Sequence, residues 1–267
     1  MQLGIKSKKT LGHMSTFEPD HPRADVHASP NFGPRKDGKR PSILILHYTG
    51  METGEAAESW LANPQSKVSA HYVVYENGRI VQMVPESERA WHAGQSSWKG
   101  ETDINSCSIG IEIVNGGPLL GFPDFPEQQI KALIDLCRGI VTRHHIRSEN
   151  VLAHSDIAPA RKIDPGEKFP WPALYDAGVG HWVGPSPVRG GRFFSLGDEG
   201  QPVEALQSML ALYGYGVPID GVFGSSTQLG ILAFQRHFRP EKVDGVADVS
   251  TIETLHRLLS ALPAVSS

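Results

Sequence analysis

The most informative stretch of the chain is residues 43–49, which read ILILHYT. Four successive aliphatic residues predict a short strand that is buried on both faces of a sheet. The run ends abruptly, and His47 is the first polar side chain after it. The stretch therefore predicts a buried strand whose polar groups emerge at its carboxyl end.

A β-hairpin is predicted downstream of this strand. Two β-rich runs, residues 71–75 and 80–84, flank the sequence Glu76-Asn77-Gly78-Arg79. Asn-Gly between such runs is the strongest short-range hairpin signal, because both residues tolerate the positive φ of a tight turn. The sheet is therefore expected to contain at least one antiparallel strand pair.

Three further elements complete an α/β domain. Residues 107–114 alternate in polarity, which predicts a strand with Glu112 on the face opposite the isoleucines. Pro126 opens a helix with one apolar face, and residues 151–153 form another short strand. This combination predicts a mixed central β-sheet flanked by helices over residues 42–177.

A second domain is predicted towards the carboxyl end. Residues 178–191 read GVGHWVGPSPVRGG, a linker that we expect to be flexible and to cross few contacts. Beyond it, Asp220-Gly221-Val222 recurs 24 residues later as Asp244-Gly245-Val246. Residues 192–262 are therefore interpreted as a small, mainly helical domain.

The first 41 residues lack a helix or strand pattern. Residues 12–14, Gly-His-Met, are typical of a tag remnant, and residues 15–41 are polar and rich in proline and glycine. We therefore expect residues 1–41 to comprise a tag remnant and an extended arm. No signal peptide is evident in this segment, which makes the cytoplasm the expected location.

The composition excludes several classes of protein. Of the 267 residues, 39% are hydrophobic and 20% charged, as in an ordinary globular protein rather than a disordered or fibrous one. A net charge of -4 without a basic stripe argues against a nucleic-acid partner. The longest aliphatic run is far short of the roughly 20 residues that a membrane span requires. Two cysteines allow either one disulfide or two free thiols.

Three potential metal ligands lie at the ends of the predicted elements. His47 follows the first strand, His154 follows the last strand, and Asp164 lies in a loop shortly afterwards. Two imidazoles and one carboxylate form a ligand set of catalytic zinc, with the fourth position open to water. Zinc lowers the pKa of a bound water from about 15.7 toward ~7. Spacing alone does not single these residues out among 12 histidines.

The neighbourhoods of these residues resemble a known family, the zinc N-acetylmuramoyl-L-alanine amidases of type 2. That family shares its fold with the peptidoglycan-recognition proteins. The resemblance covers residues 42–175, in matching order and spacing. It is carried by His47-Tyr48-Thr49, Ser69-Ala70-His71-Tyr72-Val73, Ala90-Trp91-His92-Ala93-Gly94, Ile109-Gly110-Ile111-Glu112-Ile113, Ala153-His154-Ser155-Asp156, Ala160-Arg161-Lys162 and Asp164-Pro165-Gly166.

The resemblance implies a role for each residue of the site. It implies that zinc is bound by His47, His154 and Asp164. It further implies that Glu112 is the general base and that Lys162 stabilises the oxyanion, which suits the needs of amide hydrolysis. The alternatives are a solvated strand position for Glu112 and a surface charge for Lys162.

Four other residues have two possible roles. Trp91 and His92 either belong to the core or line the substrate groove, and we favour the groove. His71 is also a candidate substrate contact, although a hydrogen-bonded structural histidine is the favoured interpretation. Asp156 either orients the imidazole of His154 from behind or caps a turn.

The C-terminal repeat resembles the peptidoglycan-binding domain of type 1, a three-helix module. The second copy departs from the pattern, with Ala247-Asp248 where the first has Phe223-Gly224. The resemblance is carried by Leu206-Gln207, Gly214-Tyr215, Asp220-Gly221-Val222-Phe223-Gly224, Thr227 and Phe234-Gln235. A wall-binding module favours the periplasm or cell envelope as the alternative location.

Together the two resemblances predict a zinc hydrolase. The expected reaction is cleavage of the amide between N-acetylmuramic acid and L-alanine, with peptidoglycan or muropeptide fragments as the partners. Two alternatives remain open: a non-catalytic peptidoglycan-binding protein on the same fold, and a zinc peptidase that cuts within the stem peptide. Measuring the metal content distinguishes the amidase from a non-catalytic binding protein. The masses of the products distinguish it from a peptidase.

Overall fold

The structure is a computed structural model that describes residues 17–191 and 193–263, so the expected tag remnant lies outside the described residues. The strands are β1 (Ala24–Val26), β2 (Phe32–Gly33), β3 (Ile43–Tyr48), β4 (Tyr72–Val74), β5 (Ile80–Gln82), β6 (Arg89–Ala90), β7 (Ser108–Ile113) and β8 (Val151–Ala153). The helices are α1 (Gly54–Leu61), α2 (Ile104–Cys107), α3 (Glu127–His144), α4 (His154–Ile157), α5 (Trp171–Asp176), α6 (Gln201–Tyr213), α7 (Ser225–Phe238) and α8 (Val249–Ser260).

A six-stranded sheet forms the centre of the first domain, in the order β1-β5-β4-β7-β3-β8. Strands β4, β7, β3 and β8 are parallel, whereas β4 and β5 form the expected antiparallel hairpin. Residues 43–47 of β3 are all buried, and β7 and β8 pair with the two edges of this central strand. The mixed sheet predicted from the sequence is confirmed.

Helix α3 covers the sheet with the apolar face that the sequence predicted. Leu133, Leu136 and Ile140 are fully buried in the core. Gln129 on the same helix donates hydrogen bonds to the carbonyls of Val74 and Val114. The helix is thereby tied to the strand ends as well as packed on the sheet. Within the described residues, both cysteines are free and buried.

The N-terminal arm is more ordered than its composition indicates. Strand β1 pairs in parallel with β5, and β2 pairs antiparallel with β6. The guanidinium of Arg35 donates to the carbonyls of Glu86 and Ser108. The expectation of an arm without strands is therefore wrong for these segments. Strands of three and two residues are too short to show a period of two, and their order comes from the strands with which they pair, β5 for β1 and β6 for β2.

The C-terminal domain consists of α6, α7 and α8, as the resemblance to a three-helix module predicts. Each copy of the repeat is organised by a buried glutamine. Gln207 bonds to both the backbone and the side chain of the first Asp-Gly turn, and Gln235 does the same for the second. The repeat is thus a repeated turn fixed by a glutamine from the preceding helix.

The segment between the domains is packed over residues 179–186, whereas residues 187–191 are exposed. Val179, His181, Trp182 and Ser186 are buried, and one continuous core includes residues of both domains. The expectation of a flexible linker with few contacts is therefore wrong. The glycines and prolines form turns, while the interspersed aromatic side chains dock into the interface. In the part of the chain that the structure describes, no helix combines the length and apolarity needed to cross a membrane.

Candidate metal centre and active site

Parallel strand pairing brings the candidate residues to one edge of the sheet. Strands β3, β7 and β8 run in the same direction, so their carboxyl ends coincide. His47 of β3 is in register with Glu112 of β7, and His154 directly follows β8. Residues separated by more than 60 positions in the chain therefore become neighbours.

Three ligand atoms converge at this edge. Nδ1 of His47 lies 2.9 Å from Nδ1 of His154 and 3.2 Å from Oδ2 of Asp164. Nδ1 of His154 lies 3.0 Å from the same oxygen, and all three side chains are buried. A tetrahedral ion at about 2.1 Å from each ligand separates the ligand atoms by roughly 3.4 Å. The triangle therefore has nearly the dimensions that a small metal ion imposes.

Each imidazole has a hydrogen-bond partner on its far side, and for His154 that partner shows which nitrogen carries the proton. Nε2 of His154 lies 3.2 Å from the carbonyl oxygen of Ala93. Because a carbonyl only accepts, this nitrogen carries the proton, and Nδ1 of the neutral ring is left as a lone pair. Nε2 of His47 lies 3.0 Å from Nδ1 of His92, whose other nitrogen lies 3.1 Å from Oγ of Ser108. A converging set of lone pairs and one carboxylate fits a bound cation.

The charges of His47 and Asp164 follow from their burial and from their contacts with each other and with His154. Burial, helped by the neighbouring His154, lowers the pKa of His47 to about 4. For Asp164, burial alone would raise the pKa, but the adjacent imidazoles of His154 and His47 outweigh it and lower the pKa. A neutral imidazole and an ionised carboxylate at neutral pH are the forms that bind metal.

Glu112 and Lys162 lie beside this triangle. Oε2 of Glu112 is buried and has no hydrogen-bond partner among the described residues. Burial, and then the charge of Asp164, raises the pKa of Glu112 well above its usual value. The positive charge of Lys162 acts on both His47 and Glu112. A carboxyl group with a raised pKa is suited to take up a proton and release it.

A cavity of about 470 Å³ is lined by the three candidate metal ligands together with Glu112 and Lys162. Trp91 and His92 both line it, as the groove interpretation requires. One part of the wall is apolar and was missed from the sequence: Trp60, Val68 and Ile163 line the cavity while remaining substantially exposed. An exposed tryptophan on the polar face of α1 is the signal that could have indicated this wall.

His71 lies away from the cavity, so its assignment as a substrate contact is wrong. Its side chain is fully buried, and Nδ1 accepts a hydrogen bond of 3.0 Å from the backbone nitrogen of Gly110. Nε2 lies 3.1 Å from the carbonyl oxygen of Glu88. Both ring nitrogens are therefore used within the fold, which is the structural role favoured from the sequence.

Asp156 caps the start of α4, and its hydrogen bonds within the described residues do not include the ring of His154. Its Oδ2 accepts a hydrogen bond from the backbone nitrogen of Ala153 at 2.8 Å. Direct contacts behind the two imidazoles come instead from His92 and the carbonyl of Ala93. A backbone carbonyl carries no sequence signal, so this support could not be assigned from residue types.

Comparison with known proteins agrees with this geometry. Residues 37–167 match the family described as N-acetylmuramoyl-L-alanine amidase, and residues 199–255 match the family described as putative peptidoglycan binding domain. N-acetylmuramoyl-L-alanine amidase AmiD of Escherichia coli K12 is 42% identical over 235 residues, which cover 82% of this chain and 83% of that protein. The chain belongs to the N-acetylmuramoyl-L-alanine amidase family.

Solved structures are similar to this amidase over both domains. The structure of E. coli AmiD in complex with the substrate anhydro-N-acetylmuramic acid-L-Ala-D-γ-Glu-L-Lys has a TM-score of 0.70 at 39% identity, and the match covers 88% of this chain and 92% of that one. AmpDh3 of Pseudomonas aeruginosa has a TM-score of 0.68 at 35% identity, with 84% and 93% covered.

The first domain has shorter relatives as well. The 1,6-anhydro-N-acetylmuramyl-L-alanine amidase AmpD of Citrobacter freundii is 36% identical over 160 residues, which cover 54% of this amidase and 83% of the relative. The relatives thus include proteins similar to the first domain alone and proteins similar to both.

Proposed function

We propose that this chain hydrolyses the amide bond between N-acetylmuramic acid and L-alanine in peptidoglycan or muropeptides. The observation that carries the proposal is the buried triangle of His47, His154 and Asp164 with Glu112 beside it. The named activity of AmiD and AmpD, and the substrate bound in the AmiD structure, support the choice of bond.

We propose zinc as the metal of this site. Two imidazole nitrogens and one carboxylate oxygen, with the cavity on the open side, are the donor set of catalytic zinc. When bound, zinc polarises a carbonyl and lowers the pKa of a water molecule. His47, His154 and Asp164 would hold it, and His92 and the carbonyl of Ala93 would keep the two rings oriented.

The chain's own residues supply the remaining steps of amide hydrolysis. Glu112 takes up a proton from the attacking water on its unpartnered oxygen and then transfers a proton to the leaving amine. Lys162 lines the cavity beside the site and places a positive charge where the carbonyl oxygen becomes negative. The apolar wall around Trp60 excludes water from one side of the bound substrate.

The matched spans support a catalytic function for the first domain and a binding function for the second. We propose that residues 42–177 form the zinc amidase domain and that residues 192–262 form a peptidoglycan-binding domain joined by residues 178–191. The family matches at residues 37–167 and 199–255 fall within or close to these limits.

Product analysis tests the proposed reaction. The full chain, loaded with zinc, is incubated with anhydro-N-acetylmuramic acid carrying a stem peptide, and the products are weighed by mass spectrometry. We expect the free sugar acid and a peptide that begins with L-alanine. Cleavage between two amino acids would make the protein a peptidase, and the absence of any cleavage by the zinc-loaded chain would make it a binding protein.

Metal removal tests the proposed cofactor. The purified chain is expected to hold close to one zinc ion, to lose hydrolysis after dialysis against a chelator, and to regain it when zinc is restored. Asp164→Ala removes one of three ligands and should weaken zinc binding. Full activity in metal-free protein would contradict the proposal.

A further inference from the structure

A buried carboxylate connects the two domains directly behind the metal site. Asp156 lies in α4, two residues after His154, and its side chain is fully buried. Within residues 17–191 and 193–263 it accepts three hydrogen bonds. They come from the backbone nitrogen of Ala153 at 2.8 Å, the hydroxyl of Tyr215 at 2.7 Å and Nδ1 of His237 at 2.7 Å.

Two of these three donors belong to the C-terminal domain. Tyr215 follows α6, and His237 lies in α7. Burial, together with the adjacent Asp156, raises the pKa of Tyr215 well above its usual value, so the hydroxyl keeps its proton and donates it. The ring of His237 stacks on Trp171 with the ring centroids 3.7 Å apart. The ring of Tyr215 lies against Trp98 with the centroids 5.2 Å apart, so both donors are packed against aromatic side chains of the first domain.

A buried carboxylate needs these donors. Removing an ionised carboxyl group from water is costly unless hydrogen bonds replace its hydration. The first domain supplies one backbone N–H to Asp156, which leaves most of its acceptor capacity without a partner. The C-terminal domain thus supplies hydrogen-bond donors to Asp156 that the first domain does not provide.

Helix α4, in turn, positions two of the three proposed ligands. His154 is its first residue, and its Nδ1 faces the metal triangle. The backbone nitrogen of Ser155 donates a hydrogen bond of 3.1 Å to the carbonyl oxygen of Asp164. A displacement of α4 would therefore move His154 and Asp164 together.

We propose that Tyr215 and His237 are positioning residues of the metal site, acting through Asp156 on α4 and its ligand His154. The C-terminal domain is then a structural part of the catalytic centre as well as a binding module. The proposal rests on the metal site proposed above and extends it to residues outside the first domain.

The neighbouring tyrosine provides a matched control. Tyr213 is buried in the same interface, and the rings of Tyr213 and Tyr215 both contact Trp98, at 6.0 and 5.2 Å between centroids. The hydroxyl of Tyr213, however, pairs with Nδ1 of His181 at 3.0 Å and not with Asp156. Tyr215→Phe and Tyr213→Phe therefore each remove one buried hydroxyl, but only the first removes a donor to Asp156.

The experiment measures zinc affinity of the full-length variants by competition with a chelator, alongside thermal unfolding of the metal-free proteins. Tyr215→Phe is expected to weaken zinc binding by about tenfold, the lower end of the range for residues behind a metal ligand, because Tyr215 acts through Asp156 and does not contact a ligand itself. Tyr213→Phe should bind zinc like the wild type, even where its unfolding temperature falls equally. Wild-type zinc affinity in both variants, or the same loss of zinc affinity in both, would overturn the proposal.

Variants of His237 provide a second, independent measurement. His237→Asn keeps an N–H near the position of Nδ1, whereas His237→Ala removes it. We expect the asparagine variant to retain more zinc affinity than the alanine variant, and equal affinity in the two would count against the proposal. A wild-type chain without zinc affinity would instead contradict the proposed function itself.

Discussion

At the residue scale, two consecutive residues support both histidine ligands from behind. His92 contacts Nε2 of His47, and the carbonyl of the next residue, Ala93, accepts from Nε2 of His154. The backbone nitrogens of His92 and Ala93 both donate to Oδ1 of Asn105, which fixes the segment. The segment that was predicted to line the groove therefore also orients the ligands.

Replacing His92 tests this support. His92→Phe keeps a ring that fills the space against Gly110, where even a methyl group would lie 2.4 Å from the imidazole. It removes the partner of Nε2 of His47, so the tautomer of that ring is no longer set. We expect zinc affinity, measured by chelator competition, to fall by about 10- to 100-fold.

Ser108→Ala is the control for this variant. It removes the partner of the far nitrogen of His92 and leaves the contact between His92 and His47 in place. Its effect on zinc affinity should be smaller than that of His92→Phe. An unchanged affinity in His92→Phe would show that the ring orientation of His47 is set elsewhere.

A variant of Glu112 is expected to affect catalysis without affecting metal binding. Glu112 is in register with His47 across the strand pair, but it is not one of the three residues whose ligand atoms converge. Glu112→Gln keeps the shape of the side chain and removes its capacity to accept and return a proton. We expect the rate of amide cleavage to fall by about 10²-fold or more while the zinc content stays unchanged. A near wild-type rate would place the general base elsewhere.

At the element scale, Glu86 joins the sheet to the C-terminal end of α3. Its buried carboxylate accepts hydrogen bonds from Tyr72 of β4 and from Arg143 and His144 of α3. Burial by itself would raise its pKa, but the bonds from His144, Arg143 and Tyr72 outweigh it and lower the pKa from 4.5 to about 2. The ionised form of Glu86 is therefore the form that stabilises the fold.

The pH dependence of stability follows from the direction of this shift. Because the folded-state pKa lies below the unfolded one, the contribution of Glu86 is complete above about pH 4.5 and is lost as the pH falls toward 2. The difference in the free energy of unfolding between wild type and Glu86→Gln, from urea titrations, should shrink by about 2 kcal/mol between pH 6 and pH 3.

Glu127→Gln, in the first turn of α3, is the matched control for Glu86→Gln. This carboxylate is highly exposed and pairs with Lys131 at the surface, where ion pairs contribute little. Its difference from wild type should stay small over the same pH range. If the difference in the free energy of unfolding between wild type and Glu86→Gln did not change with pH, the partners of Glu86 would not lower its pKa in the folded protein.

At the scale of the whole molecule, the two domains are expected to depend on each other. Trp98 packs against Tyr213 and Tyr215, and Trp171 stacks on His237. A chain that ends at Pro185 would expose these tryptophans and leave Asp156 with a single donor. This outcome differs from the independent folding that the glycine-rich linker predicts.

The truncated chain should therefore lose activity on small soluble muropeptides as well as on intact peptidoglycan. We expect a lower unfolding temperature and weaker zinc binding, because one continuous core spans the two domains and Asp156 loses two donors. Turnover of both substrates, zinc affinity and thermal unfolding are compared with those of the full chain. Unchanged turnover of soluble muropeptides by the truncated chain would show that the first domain is self-sufficient.

The sequence by itself determined the main elements and, through its resemblance to a family, indicated which three side chains converge as candidate ligands. The run at residues 43–46, the Asn-Gly hairpin and the apolar face of α3 are local patterns, and each became the predicted element. His47 and His154 were marked as candidates by their places at the ends of predicted strands and were singled out among the 12 histidines by the resemblance of their neighbourhoods to a family. Such signals survive in one sequence because they depend only on residues a few positions apart.

Only the tertiary structure decided how the site is supported and how the domains meet. Asp156 lies 59 residues from Tyr215 and 81 from His237, and His47 lies 45 residues from His92. The two N-terminal strands and the packed linker likewise owe their order to distant partners rather than to their own composition. Contacts of this kind leave no periodic pattern in the chain, because each depends on the position of a partner that only folding brings near.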